Sequence, residues 1–129
     1  MKLLHAIPCR LAIVSRETNA LTIVDLLERI PVVGFPLVVP EITFITIWER
    51  EANDVDEQVG LFTLLLNDQK LMQQEVKFPF RNGHWARNQM VLQVLVIPAA
   101  GKLRGVLSMK NHPEVEFSIP VLLLGEQRK

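Results

Sequence analysis

Alternation is the feature that most constrains this chain. In "EVEFSIPV", residues 114–121, Val115, Phe117, Ile119 and Val121 fall on one side, with Glu114, Glu116 and Ser118 on the other. A period of two gives a strand one apolar and one polar face, and a helix cannot gather such a row onto one side. The pattern recurs in "KLMQQEVKFPF", where Met72, Val76, Phe78 and Phe80 oppose Gln73, Glu75 and Lys77. It recurs again in "KLRGVLSMK", where Leu103, Leu107 and Met109 share a side with Gly105. Turn residues break the alternation roughly every ten residues, as in "NDQK" (67–70) and "NHP" (111–113). Short strands at that spacing predict an all-β, two-sheet antiparallel β-sandwich of about six to eight strands. The 129 residues suffice for one core and are too few for two ordinary domains, so residues 1–129 read as a single domain. An immunoglobulin-like Greek key is the first expectation for the connections. A C2-like or jelly-roll order is the alternative, because periodicity does not order strands.

Several segments depart from simple alternation. "NALTIVDLLERI" (19–30) carries Leu21, Val24 and Leu27 at helical spacing, joined by Leu26 and Ile30, with Asn19 as a cap and Pro31 as a stop. It reads as a short strand or turn and then one short helix over an open end of the sandwich. "IPVVGFPLVVPEI" (30–42) sets three Pro and a Gly among apolar residues and reads as an irregular edge or crossover. "PEITFITIWER" slips its alternation at Phe44-Ile45, the mark of a bulge. Pro120 lacks an N–H, so the last strand lies at an edge or ends its pairing there. "VGLFTLLL" (59–66) and "MVLQVLVI" (90–97) are apolar on both faces, as in strands that are central or covered on their outer side. The apolar excess points to a patch left for a partner.

The segments "CRLAIV", "ALTIVDLLERI", "LLLNDQKL" and "GKLRGVLSMKNHPEVEFSIPVLLL" together resemble a small bacterial family of single-domain β-sandwich proteins, a domain of unknown function. Gly101, and Pro120-Val121 before the last apolar run, look like that family's closing hairpin. The resemblance implies an immunoglobulin-like sandwich and carries no catalytic or binding residues.

Charge and composition narrow the function. Fourteen basic residues balance fourteen acidic ones, so nothing global draws the chain to nucleic acid or to an anionic membrane. The lone Cys9 excludes an internal disulfide, and a reducing compartment is the default. His5, Pro8 and Arg10 interrupt any signal-peptide core, and no apolar run approaches the ~20 residues of a membrane helix. The expected location is cytoplasmic. His5 and Cys9 lie four residues apart on an extended segment, roughly 13 Å, too far for a nucleophile and its base. No glycine-rich phosphate loop occurs, and the three His lack zinc-site spacing. The acidic stretch 49–58, with Glu49, Glu51, Asp54, Asp56 and Glu57, has no Gly to wrap around calcium and reads as a solvated loop. No catalytic residue, metal or cofactor is expected.

The remaining candidate site is "FRNGHWARNQ" (80–89), with Arg81, His84, Trp85 and Arg87. Trp and Arg are enriched at binding hot spots, and two Arg beside a Trp can pair an anion while the indole anchors. The competing reading makes Trp85 a plug over one end of the sandwich. The expectation is a non-catalytic protein-interaction or assembly module that binds itself as a homo-oligomer, or another protein. The alternative is a small-molecule or ion-binding sandwich using the end loops 49–58 and 80–89. Cys9 shares its face with Ile7, Leu11 and Ile13 and is expected to be buried. Cys9→Ala should cost on the order of 1 kcal/mol in urea-unfolding measurements.

Overall fold

Each alternating segment becomes a strand. The computed structural model describes residues 1–52, 54, 57–80 and 83–124. Among them are nine strands: β1 (Lys2–Val14), β2 (Leu21–Leu26), β3 (Ile30–Val32), β4 (Leu37–Glu49), β5 (Glu57–Leu66), β6 (Gln69–Pro79), β7 (Trp85–Ile97), β8 (Gly101–Met109) and β9 (His112–Leu123). They form two sheets, β2-β1-β4-β7 and β3-β9-β8-β5-β6, packed as a β-sandwich. Pairing is antiparallel except between β3 and β9. Lettered in chain order, the sheets read B-A-D-G and C-I-H-E-F, where an immunoglobulin constant domain reads A-B-E-D and C-F-G. The β5–β6 turn is a two-residue hairpin with Asn67 and Asp68 both at positive φ, the geometry that "ND" favours. Residues 33–36 cross from one sheet to the other, as the Pro-rich composition of 30–42 implies.

The helix expected within 20–30 is absent: Leu21–Leu26 is strand β2, paired with β1. The β-branched run Thr22-Ile23-Val24 favours a strand, and about two turns of isolated helix would be marginal. Leu27 and Ile30, which completed the helical pattern, instead pack on the main core as the chain crosses between sheets. Pro120 does not end the pairing of β9 with β8, which continues to Val121. Rather, β3 joins the other side of β9 from Val121 onward, just past the residue that cannot donate.

The core centres on Phe44, Phe62 and Phe117, whose ring centroids lie 5.0, 5.1 and 6.5 Å apart. Gly105 makes room for them. A Cβ there would lie 2.8 Å from the Phe62 ring. At one end Trp48 is fully buried, its Nε1 donating to Thr46 Oγ1 at 2.9 Å. Phe78 and His112 meet it edge-on at 5.8 and 5.0 Å.

β4 is buried on both faces. Ile42, Phe44 and Trp48 point into the sandwich, while Thr43 and Ile45, on the opposite face, are also inaccessible, as is Cys9 beside them. The register with β7 runs unbroken through Phe44 and Ile45, so their slip in alternation is not a bulge. A cover explains it. β1 pairs with β4 only as far as Cys9–Thr43, and beyond that pairs only with β2. Continued straight, this β1–β2 hairpin would carry Asn19 roughly 30 Å from Arg87, counting ~3.3 Å per residue and ~4.8 Å between strands. Yet Arg87 Nη2 donates to the Asn19 carbonyl at 3.0 Å. The hairpin therefore folds back across the outer face of its own sheet. The bend falls where Arg10 faces Asp25, which has φ 55° and accepts an ion pair from Arg10 Nε at 2.7 Å.

A second irregularity is matched on two strands. Inward residues are even-numbered from Ile42 to Trp48 and at Met90 and Leu92, but odd-numbered at Leu37, Val39, Leu95 and Ile97. The change of face falls at Pro40 on β4 and Val94 on β7, which lie opposite each other. Val94 has φ 57° and is 69% exposed. A β-branched residue is strained there. Val94→Asn should raise stability by about 1 kcal/mol, measured by urea unfolding. Gly105→Ala should lower it by roughly 1–3 kcal/mol by forcing the Phe62 ring aside.

Candidate functional site

Within 80–89, Phe80 follows β6, Gly83 and His84 precede β7, and residues 85–89 belong to β7. Gly83 N–H donates to the Phe80 carbonyl at 2.8 Å, and Arg50 N–H to the His84 carbonyl at 2.7 Å. These bonds fix the turn against the end of β4. Phe80 turns inward and is buried beneath the Arg50 guanidinium, 5.8 Å from its ring centroid. Phe80 and Trp48 thus close this end of the sandwich, and Trp85, 61% exposed, is not its plug. His84 is exposed. Arg87 is engaged with the Asn19 carbonyl and serves as a latch on the folded-back hairpin. Arg81 and Asn82 lie outside the described residues. Of the three described residues among the four expected to bind, His84 and Trp85 are exposed and Arg87 is engaged with the hairpin.

In the acidic stretch, expected as a solvated loop, two carboxylates meet the Met1 amine. Glu51 Oε1 and Asp54 Oδ2 each lie 2.7 Å from the Met1 amino group. Arg50 Nη2 donates to the Asp54 carbonyl at 2.8 Å. Desolvation of the amine opposes its charge, but the hydrogen bonds it donates to Asp54 and Glu51 outweigh that and raise its pKa above 8.0. Desolvation likewise opposes ionisation of Asp54, and the amine and the Glu51 N–H outweigh it, lowering its pKa below 3.8. Asp56 lies outside the described residues. Among the described residues no three His, Cys, Asp or Glu side chains are grouped to hold a metal ion. Cys9, on the outer face beneath the hairpin, is buried, and that burial pushes its thiol pKa up, away from a reactive thiolate.

What alternation did not reveal is a sheet edge. β5, the first doubly apolar strand, is central, flanked by β8 and β6. β7, the second, is the last strand of its sheet. From Asn88 to Ile97 it carries no charge, no Pro and no Gly. The other edges are protected: β3 is three residues long and contains Pro31, β2 is six residues long with Asp25, and β6 carries Lys70, Glu75, Lys77 and Pro79. Val91 and Val96 on β7 and Val38 on β4 are exposed on the same outer face as Trp85. Beside this edge a groove of about 480 Å³ opens between residues 91–96 of β7 and Leu71, Met72 and Gln74 of β6. It narrows toward Asn88, whose Nδ2 donates to the Lys77 carbonyl at 3.1 Å.

No family model, no curated protein and no solved structure matches the chain. No helix among the described residues is long and apolar enough to cross a membrane.

The Met1 clamp predicts a pH profile. The lowered Asp54 contributes stability that is full above its ordinary value of 3.8 and is lost as pH falls through the folded value. The raised amine contributes stability that is full below its ordinary value of 8.0 and is lost as pH rises through the folded one. Melting temperatures of the native chain and Asp54→Asn should therefore differ most between those two values and converge on either side.

Proposed function

We propose that this chain is a non-catalytic, cytoplasmic assembly module of the bacterial immunoglobulin-like kind it resembles, and that it self-associates through β7. The observation that carries the reading is the unprotected edge, Asn88 to Ile97, with apolar side chains exposed along it. Edges of that length and composition are templates for another strand. A strand pairing with its own copy in antiparallel fashion generates a twofold axis, so the contact closes as a dimer. An axis through Val91 brings Trp85 of one copy to the level of Ile97 of the other, since each lies six residues from Val91. The exposed indole then reaches the exposed Val38 and Val96 at the far end of the partner's edge. Every anchor has its counterpart on the same surface. The absence of charge along the segment removes repulsion between identical copies, and the balanced net charge of the chain adds none. The burial of Cys9 and the engagement of Glu51 and Asp54 by Met1 weigh against the nucleophilic and ion-binding alternatives. A small apolar ligand in the β6–β7 groove is the second reading, favoured by a volume in the range of ligand pockets.

Size-exclusion chromatography with light scattering separates the two. The proposal expects a species of twice the 14.7 kDa chain mass that dissociates on dilution. Val91→Lys places like charges opposite each other at the axis and should weaken association by about tenfold or more, with the melting temperature of the monomer nearly unchanged. Trp85→Ala should weaken it too. A monomer at roughly 100 μM, far above the Kd of a specific contact, would rule out assembly through β7.

A further inference from the structure

We infer that the β1–β2 hairpin beyond Cys9 is a hinged strap, latched by Arg87, that can lift from the sheet without unfolding the sandwich and so uncover a second apolar face. Three observations place the hinge, the latch and the covered surface. The hinge is where β1 leaves β4: pairing stops at Cys9–Thr43, and Asp25 opposite Arg10 takes φ 55°. A non-glycine residue in that region marks a backbone held away from its preferred conformation. Beyond it the strap's ladder is internal, from Leu11–Val24 to Val14–Leu21, so lifting it breaks no strand pairing with the sandwich. The latch is the side-chain bond from Arg87 to the Asn19 carbonyl near the strap's tip.

The covered surface is the patch of Cys9, Thr43 and Ile45, each at most 1% exposed although it faces away from the sandwich interior. On its own side the closed strap half-buries Leu11, Leu21, Ile23 and Val24 and leaves Ile13 and Val14 exposed. Its closure rests on partly buried side chains and one exposed bond rather than on strand pairing, the arrangement from which local openings below the global unfolding energy arise. The strap differs in this from β4 and β7, whose ladder extends over 13 residues of each strand.

Cys9 reports directly on the strap, being the single cysteine and lying beneath it. The experiment measures its rate of modification by a chromogenic aromatic disulfide in the absence of denaturant and at low urea. In parallel, global unfolding is followed by the fluorescence of buried Trp48 in a Trp85→Phe background. Arg87→Ala should speed modification roughly five- to tenfold, the population shift expected for one solvent-exposed hydrogen bond. The Trp48 unfolding midpoint should fall by no more than the loss of that one bond implies, while Cys9 modification keeps a much shallower urea dependence than global unfolding. Asp25→Gly, which frees the hinge and removes its ion pair, should act in the same direction. If Cys9 reacts only as fast as Trp48 reports unfolding in all three proteins, the strap is not separately hinged. If Cys9 reacts quickly and Arg87→Ala leaves the rate unchanged, the strap is not its cover. Either result overturns the inference.

Discussion

The structure depends on a strand that is buried on both sides. β4 contributes Ile42, Phe44 and Trp48 to the interior between the sheets, and Thr43 and Ile45 to a face that in an ordinary sandwich meets water. Apolar area on that face must be removed from water by something. The second sheet covers the inner face. The outer face is covered by the chain's own first hairpin, which bends at Arg10 and Asp25 and crosses back to Arg87. Much of the rest follows. β1 can pair with β4 along only part of its length, and β4 from Leu37 to Ile42 keeps β7 as its paired neighbour. Two-sided burial also explains why Thr43 and Thr46 are inaccessible polar residues: one lies beneath the strap, and the other accepts the Trp48 indole N–H.

An end of the sandwich and the outer face of its five-stranded sheet are held by different physics. One end is sealed by aromatic packing around Trp48, with His112 and Phe78 edge-on to it. Near the same end the Met1 amine draws Glu51 and Asp54 together, and Arg50 bonds the Asp54 carbonyl from the other side. On the outer face of the five-stranded sheet, Arg104 links Asp68 in the β5–β6 turn to Glu116 on β9. Its hydrogen bond holds the Glu116 carboxyl below the ordinary carboxylate value. That pair is solvated and orders the face more than it stabilises it.

Much of the fold was legible in the sequence, and the exceptions share one cause. Alternation located β6, β8 and β9, and "ND" fixed a hairpin, because each of these elements has one dry face and one wet face. Where a strand is apolar on both faces, the period vanishes. Phe44-Ile45 then looks like a bulge, and β5 and β7 look alike although one is central and the other an edge. The helical pattern in 19–30 arose from residues on three separate structures: β2, the crossover at Leu27, and β3 at Ile30. Spacing alone cannot separate them, whereas the β-branched run at 22–24 could have. The candidate site was half legible. Trp85 stood out through the scarcity of aromatics, and the fold leaves it exposed rather than closing an end of the sandwich. The roles of Arg87 and Glu51 were hidden, because their partners, Asn19 and Met1, are distant in the chain and are joined to them only by the fold.

The paired change of face at Pro40 and Val94 has a consequence for how the sequence can vary. A strand that shifts its inward set from even to odd positions must do so at the same level as its neighbour, or one of the two would expose its apolar residues below the step. Pro40 and Val94 therefore form a single mechanical joint shared by two strands 54 positions apart in the chain. Straightening one side alone would push Leu37 and Val39, or Leu95 and Ile97, out of the interior. In homologous chains the two positions are bound to drift together, with the step kept on both strands or lost from both, and the length of chain between each of them and its core residues cannot change on one side only.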